Sequence, residues 1–258
     1  MKRFDLYILA GLLMSLAFFA YTYLYSSTDA YDKVMETSIL VLAVLSAIAL
    51  YQLINALKKA KSPEARFFQF ILIAFIFWIL SEAAYTSYKV FFNTVPDISV
   101  ADFFSILGYF SFIYAIYLFF ENSCISVPSL LAVLATYLVV GLSVLYLLKD
   151  TIVNSRTSMV SNLLNAIYAL LDSVELSLSV PLIIQFLSSP SKFRCSLIGV
   201  VILMVSLGDI SALYFTAQNN PAAVQASDIF FVLGYIWALV VILIYPRPEN
   251  NHSNVKQR

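Results

Sequence analysis

The amino-acid sequence predicts an all-α, polytopic membrane protein with eight transmembrane helices, arranged as two parallel repeats of four helices each. Of its 258 residues, 61% are apolar and 12% are charged, compared with roughly 45–50% and about 25% in soluble globular proteins. Eight apolar stretches have the length of about 20 residues that a helix needs to cross a bilayer. A motif also recurs in the two halves of the chain, as "DFFSILGYFS" from Asp102 and as "DIFFVLGYIW" from Asp228.

Short links bound the apolar stretches and carry most of the charged residues and prolines. The first stretch follows a basic start and begins like a signal peptide, but no small-residue cleavage site follows it. It therefore predicts a helix that stays in the mature protein. The predicted spans are 6–25, 36–57, 67–90, 101–120, 129–148, 158–187, 195–216 and 227–245.

The basic residues predict the orientation of these spans, because lysine and arginine accumulate on the cytoplasmic side of membrane proteins. One side carries four of them, Lys33, Lys89, Lys149 and Arg156. The other side carries eleven, Lys2, Arg3, Lys58, Lys59, Lys61, Arg66, Lys192, Arg194, Arg247, Lys256 and Arg258. We therefore expect a multi-pass protein of the cell membrane with both termini in the cytoplasm, as an even number of spans requires.

The recurring motif indicates an internal repeat of four helices. A shift of 126 residues superposes the acid and the Gly-Tyr pair of the first motif on those of the second, and a shift of 127 superposes Glu82 on Asp209. We infer a duplication with units at residues 1–125 and 126–258. Because each unit has an even number of helices, the two units would be parallel, related by a pseudo-two-fold axis along the membrane normal. The alternative is that apolar sequence matches itself by chance.

Four carboxyl groups lie well within predicted spans, those of Glu82, Asp172, Glu175 and Asp209. An acid at the bilayer centre costs roughly 2.5–3.5 kcal/mol on insertion scales, so such residues seldom occur without a role. No lysine or arginine lies deep in any predicted span to pair with them. They must therefore be protonated, hydrogen-bonded, or satisfied by water or a bound cation.

Two further acids have a simpler interpretation. Asp102 and Asp228 open the fourth and eighth predicted spans, and we expect them to cap these helices by accepting hydrogen bonds from free backbone N–H groups. The acids that recur late in the third and seventh spans lie too deep for capping. Each of those is expected either to contact a ligand or to accept a hydrogen bond from a neighbouring helix, from Tyr109 or Tyr235.

The sixth span carries a polar stripe. Its polar residues recur at steps of three or four, which places them along one face of a helix. That face must point into the bundle or a water-filled cavity, because lipid would leave its acids unsatisfied; the alternative is a polar seam that holds helices together. The stripe consists of Ser158, Asn162, Asn165, Tyr168, Asp172, Glu175 and Ser179. Asn162, Asn165, Asp172 and Glu175 are therefore candidate ligand- or ion-binding residues.

The stretch "SEAAYTSYKVFFNTVPDISVADFFSILGYF" resembles the repeated pattern of multi-helix membrane regions at the N-termini of bacterial diguanylate cyclases and sensor kinases. In that family an acid late in one helix is followed by P-S-x-A-D and then by L-G-Y. The matching positions are Glu82, Pro96, Ser99, Ala101, Asp102, Gly108 and Tyr109, and in the second half Gly208, Asp209, Ser227, Asp228, Gly234 and Tyr235. The resemblance implies a sensory region. Only a short polar tail follows the last span, so a sensor of this kind would need a partner protein for its output.

A weaker similarity is to lysoplasmalogenase-type proteins. These also have eight spans and a Gly-Asp pair in one helix, which Gly208 and Asp209 match, but the histidine that follows in that pattern is missing here. The similarity implies a membrane lipid hydrolase, in which Asp209 and Asp172 would act as general acid and base.

Three functions therefore compete. The first is a membrane sensor or ligand-binding module with an outward-opening pocket lined by Glu82, Asp209, Tyr109 and Tyr235. The second is a small-solute or cation transporter that uses Asp172 and Glu175, and the third is the lipid hydrolase.

The expected partners are the lipid bilayer and, for a sensor, a signalling protein. We expect no cofactor and no metal site. The single histidine, His252, lies in the polar tail, which excludes an intramembrane zinc site built on histidines. The formal net charge is zero, which gives no general attraction to nucleic acid.

Overall fold

The computed structural model describes residues 3–25, 29–92, 94, 96, 98–122, 127–147, 149, 158–188, 193–218 and 220–245. The described residues form eight long helices and no strand, so the all-helical prediction is confirmed for them. The helices are α1 (Arg3–Tyr25), α2 (Asp29–Lys59), α3 (Glu64–Phe92), α4 (Val100–Asn122), α5 (Val127–Leu147), α6 (Met159–Ser188), α7 (Phe193–Ala217) and α8 (Pro221–Ile244). The polar tail with His252, and the basic residues Lys2, Arg156, Lys192, Arg247, Lys256 and Arg258, lie outside the described residues.

The described helices have the length and surface of membrane spans. Seven of them, all except α5, are long and apolar enough to cross a bilayer, and α5 has a shorter described apolar run, Leu134–Tyr146. Large apolar side chains such as Leu16, Phe110 and Leu142 are exposed on the outside of the bundle. In a membrane protein this surface faces lipid. The chain is accordingly a multi-pass membrane protein.

Most helices begin within three residues of the predicted spans, but two begin six or seven residues earlier. The helix α2 begins at Asp29 instead of residue 36, and α8 begins at Pro221 instead of residue 227. Proline suits the first position of α8, because its fixed φ is helical and its missing N–H would have no partner there. The side chain of Asn220 caps this helix by accepting a hydrogen bond from the backbone N–H of Ala223, at 3.2 Å. Hydropathy marks the apolar part of a helix, and both of these helices continue beyond it.

Six helices form a closed ring. Four pairs of helices that follow one another in the chain pack together: α2 with α3, α3 with α4, α6 with α7, and α7 with α8. Two contacts between distant parts of the chain close the ring, an extensive one between α2 and α8 and a smaller one between α4 and α6. Outside the ring, α1 packs mainly on α8, and α5 packs on α6. Three helices from each half of the chain therefore surround the interior.

One end of the ring is filled with apolar side chains. This is the end where α2, α6 and α8 finish and where α3 and α7 begin. The buried side chains there include Leu53, Phe68, Leu182, Ile202 and Ile236. At the opposite end the interior is polar and contains a cavity.

The turn after α2 has the hydrogen bonds of a Schellman motif. The backbone N–H of Ser62 donates to the carbonyl of Leu57, and that of Lys61 donates to the carbonyl of Lys58, both at 3.0 Å. Lys61 has φ of 56°. This left-handed conformation is normally taken by glycine, which has no Cβ to clash with the backbone.

Candidate functional site

The polar end of the ring contains a cavity of about 490 Å³, which we call the chamber. All six ring helices contribute to its wall. Five acidic residues line it, Glu36, Glu82, Asp172, Asp209 and Asp228. Six aromatic residues line it as well, Trp78, Tyr85, Tyr109, Tyr168, Phe231 and Tyr235. No lysine or arginine is among the described lining residues, so the chamber has a strongly acidic and aromatic character.

The phenol of Tyr109 joins two of these acids. Its oxygen lies 2.6 Å from Oδ1 of Asp172 and 2.8 Å from Oδ2 of Asp209. Tyr109 is on α4, Asp172 on α6 and Asp209 on α7, so one hydroxyl connects three ring helices. A hydrogen bond between Tyr109 and Asp209 was one of the alternatives left open by the sequence, and Asp172 was paired with Asp209 only in the hydrolase hypothesis. We call this group the Tyr109 triad.

The glycine before Tyr109 explains how the phenol reaches this position. A Cβ on Gly108 would lie 2.5 Å from Nε1 of Trp78 and 2.7 Å from its Cδ1, so α4 approaches α3 more closely than any other residue would allow. The indole then packs edge-on to the ring of Tyr109, with 6.2 Å between ring centroids. The Gly-Tyr pair therefore combines a close helix contact with a tyrosine that faces the chamber.

The second Gly-Tyr pair has a similar arrangement. A Cβ on Gly234 would lie 2.9 Å from Cγ2 of Val205, so this glycine lies at the contact between α8 and α7. Tyr235 packs edge-on to Phe75, with ring centroids 5.5 Å apart, and lines the chamber. The two tyrosines thus face one chamber from different halves of the chain.

Glu82 lies between the chamber and a smaller cavity. The second cavity has a volume of about 380 Å³ and shares Ser81, Glu82, Tyr85 and Ser105 with the chamber. The hydroxyls of Ser81 and Ser105 are 2.7 Å apart, and Ser81 also donates to the backbone carbonyl of Ala101 at 2.9 Å. Polar contacts between α3 and α4 therefore form the wall between the two spaces.

Asp102 takes part in the cap of α4. Its Oδ2 accepts hydrogen bonds from the backbone N–H of Ser99 at 2.7 Å and from the hydroxyl of Ser99 at 3.1 Å. The hydroxyl oxygen of Ser99 in turn accepts from the N–H of Ala101 at 3.1 Å, which is the reciprocal pattern of a capping box. The other oxygen of Asp102 accepts from the phenol of Tyr168 at 3.0 Å, which ties the start of α4 to α6.

Asp228 does not cap α8, contrary to the prediction. The helix begins at Pro221 and Asn220 is its N-cap, so Asp228 lies about two turns inside. The prediction was wrong because it placed the helix start at the first bulky apolar residue. Asp228 instead lines the chamber.

The residues of the polar stripe of α6 differ in how deeply they are buried. Asp172, Glu175 and Ser179 are completely buried, whereas Asn162 and Asn165 are half-buried and lie outside the described lining of the chamber. Neither carboxyl oxygen of Glu175, nor Oδ2 of Asp172, has a hydrogen-bond partner among the described residues. The structure therefore brings Asp172 to the chamber and places Glu175 one turn further along α6 as a buried acid.

Several lining residues were not predicted as site residues. Glu36 could have been identified from the sequence, because it is an acid at the start of a predicted span, on the same side of the membrane as Asp102. Tyr168 belonged to the polar stripe but was not singled out. Trp78, Tyr85 and Phe231 had no such signal, because an aromatic residue in an apolar span has the same pattern whether it faces lipid or a cavity.

Within the described part of the chain, no group of three or more histidine, cysteine, aspartate and glutamate side chains has the arrangement to hold a metal ion. No protein-family model, curated protein or solved structure matches the chain significantly.

Proposed function

We propose that the chain is a membrane sensor or ligand-binding module that takes a small organic cation into the chamber from outside the cell. The observation that carries this proposal is the composition of the chamber wall, which has five acidic residues and six aromatic ones but no described lysine or arginine. Carboxylates attract a positive charge, and aromatic faces attract it further through their quadrupoles. An organic ammonium ion carries a positive charge that both kinds of side chain attract, and it has an apolar body that packs against aromatic rings.

The size of the chamber supports a small ligand. Its volume of about 490 Å³ lies within the range of roughly 300–1,000 Å³ that small-molecule sites occupy. Trp78, Tyr109 and Tyr235 offer flat apolar surfaces to the body of the ligand, while Asp172 and Asp209 are positioned to receive its charge. A bare metal ion is a poorer candidate, because the described acids do not converge as metal ligands.

The arrangement in the membrane is part of the same proposal. We propose eight membrane crossings in two parallel four-helix repeats, with both termini in the cytoplasm of the cell. A duplication of four helices would make the contact of α2 with α8 equivalent to that of α6 with α4, and both contacts occur. The excess of basic residues at the apolar end of the ring then directs the chamber to the outside.

Ligand binding to the purified full-length chain in detergent tests the proposal. Choline, tetramethylammonium and small primary amines are expected to raise the thermal unfolding midpoint, because a ligand that binds only the folded state stabilises it. Asp209→Asn and Glu82→Gln are expected to weaken the effect, since each removes a carboxylate from the chamber. Glu64→Gln is the matched control, because Glu64 is exposed at the first turn of α3. Equal stabilisation by carboxylate anions of the same size would contradict the proposal.

A sensor also needs a route for its signal. We propose that a membrane or cytoplasmic signalling protein binds the chain and reads the state of the ring. Cross-linking in native membranes with and without choline tests this, and the expected result is a cross-linked partner whose yield changes with ligand. A chain that stays monomeric under both conditions would argue against the signalling role while leaving the binding site intact.

A second candidate is a transporter of the same cation, and the position of Glu175 favours it. This acid is buried one turn beyond the chamber, toward the apolar end of the ring, where a cation would next move on its way across the membrane. Proteoliposomes loaded with buffer test it directly. Uptake of radiolabelled choline that Asp172→Asn abolishes would establish transport, and binding without uptake would exclude it.

A further inference from the structure

The Tyr109 triad contains more hydrogen-bond acceptors than one phenol can serve. A phenol carries a single proton, and an ionised carboxylate only accepts. The phenolic oxygen nevertheless lies at 2.6 Å and 2.8 Å from the two carboxyl oxygens, which are the distances of strong O–H···O hydrogen bonds. Both bonds form together only if the triad holds a second proton, carried by one of the two carboxyl groups.

The surroundings of the triad disfavour a second negative charge. Glu175 is buried one turn along α6 from Asp172, and three further acids line the same chamber, Glu82 on α3, Glu36 on α2 and Asp228 on α8. The other titratable groups among the described lining residues are the phenols of Tyr85, Tyr168 and Tyr235. No cationic side chain is among these described neighbours, and the buried Oδ2 of Asp172 has no hydrogen-bond partner in the described part of the chain. Two adjacent carboxylates in such a site would repel each other with no compensating charge.

We propose that the Tyr109 triad is the cation subsite of the chamber, and that the positive charge of the ligand replaces the proton shared by Asp172 and Asp209. This inference rests on the proposed function. In the empty state the two carboxyl groups carry one negative charge and one proton. In the bound state both are carboxylates, one accepting from the phenol of Tyr109 and the other facing the ligand, and one proton has left for the solvent. Charge is balanced, because one cation enters as one proton departs.

Quaternary ammonium ions are the sharpest probes of this exchange. Choline and tetramethylammonium have no N–H proton, so any proton released on binding must come from the protein. Titration calorimetry of the full-length protein in two buffers with different ionisation enthalpies counts that proton. The expected result is one proton released per ligand bound, with an affinity that weakens about tenfold for each pH unit of acidification while the triad is protonated.

Two carboxyl-to-amide variants separate the triad from the general charge of the chamber. Asp209→Asn leaves a single carboxyl for the phenol of Tyr109, so choline is expected to bind more weakly and to release no proton. Asp228→Asn also removes a lining acid but leaves the triad unchanged. The Asp228→Asn variant is expected to bind choline more weakly and still to release one proton per choline bound.

Infrared difference spectroscopy provides a second readout. Addition of choline is expected to remove a carbonyl stretching band of a protonated carboxylic acid and to add carboxylate bands. Asp209→Asn is expected to abolish this change, whereas Asp228→Asn retains it.

The outcomes distinguish failure of the proton exchange from failure of the proposed cation binding. Binding of choline with no proton release and with a pH-independent affinity would overturn the proton exchange and leave the chamber as a cation-binding site. A lack of binding by every organic cation would overturn the proposed function and the exchange with it. The proton count of the unmodified chain is sufficient for this decision, even if Asp209→Asn does not fold.

Discussion

Replacement of Gly108 by alanine tests whether the close contact of α3 and α4 positions the chamber. The added Cβ would lie 2.5, 2.7 and 3.1 Å from three atoms of the Trp78 indole, whereas ordinary carbon contacts are about 3.5–4.0 Å. The indole is rigid and packed against Tyr109 and Phe112, so the helices must separate by roughly 1 Å. Overpacking of this kind costs about 1–3 kcal/mol.

The helical preference of alanine offsets part of this destabilisation. Alanine is more favourable than glycine in a helix by about 0.8–1.0 kcal/mol, so the net loss for Gly108→Ala is about 0–2 kcal/mol. For a chain of this size that corresponds to a decrease of up to about 8 °C in the unfolding midpoint. The midpoint is measured in detergent by differential scanning fluorimetry, and choline affinity is measured in parallel. Affinity is expected to fall too, because Tyr109 moves with the backbone of α4.

Two other glycines provide matched controls. A Cβ on Gly141 would meet nothing closer than 3.8 Å, so Gly141→Ala is expected to stabilise the protein by up to about 1 kcal/mol. A Cβ on Gly234 would be 2.9 Å from one methyl group of Val205 and 3.7 Å from backbone, and that methyl group moves by side-chain rotation. The unfolding midpoint of Gly234→Ala is therefore expected to lie between those of Gly108→Ala and Gly141→Ala. Equal midpoints for Gly108→Ala and Gly141→Ala would refute the close-contact explanation.

Four further substitutions test other contacts by the same thermal assay. Tyr109→Phe removes the hydroxyl that both triad acids contact and is expected to lower stability by about 1–3 kcal/mol; an unchanged midpoint would mean that the acids find other partners. Ser99→Ala removes the capping box of α4 and should cost about 1 kcal/mol, whereas Ser143→Ala, at an exposed serine within α5, should cost little. Lys61→Gly relieves the left-handed backbone after α2 and should stabilise by about 1 kcal/mol, and a loss would contradict that geometry. Glu175→Met replaces a buried acid whose oxygens have no described hydrogen-bond partner within 3.5 Å, so it should stabilise by about 1–3 kcal/mol; destabilisation would show that Glu175 is satisfied by bound water, an ion or the neighbouring hydroxyl of Ser206.

The helices could be predicted from the sequence because the membrane imposes a simple requirement. Backbone groups in lipid must be satisfied within the segment, so each long apolar run forms a helix. The starts of α2 and α8 could not be read from hydropathy, because charged residues interrupt residues 29–35 and residues 221–226 are mostly small, and yet both segments are helical. The misplacement of Asp228 as a cap followed directly from this. Its role in the wall of the chamber appears only once the true start of α8 is known.

The site could be predicted in part. A buried carboxyl is so unfavourable in lipid that Glu82, Asp172 and Asp209 stand out in sequence, and all three line the chamber. Their partners do not stand out, because pairing depends on which helices are neighbours. Tyr109 and Asp209 come from different halves of the chain and meet only because α4 contacts α6 at the ring closure. Asn162 and Asn165 share the face of Asp172 by spacing, but they are only half-buried and are not among the described lining residues of the chamber.

The closure of the ring by α2 and α8 has a consequence for the order of synthesis. The main contact of α1 and the main closing contact of α2 are both made with the last described helix, α8. Chains are made from the N-terminus, and segments that pair over long sequence distances wait for their partners. Until Pro221–Ile244 has been synthesised, the ring lacks α8, and the chamber lacks the wall formed by Asp228, Phe231 and Tyr235. A chain arrested before this segment therefore has a chamber that is open between α2 and α7, although the Tyr109 triad on α4, α6 and α7 is already complete.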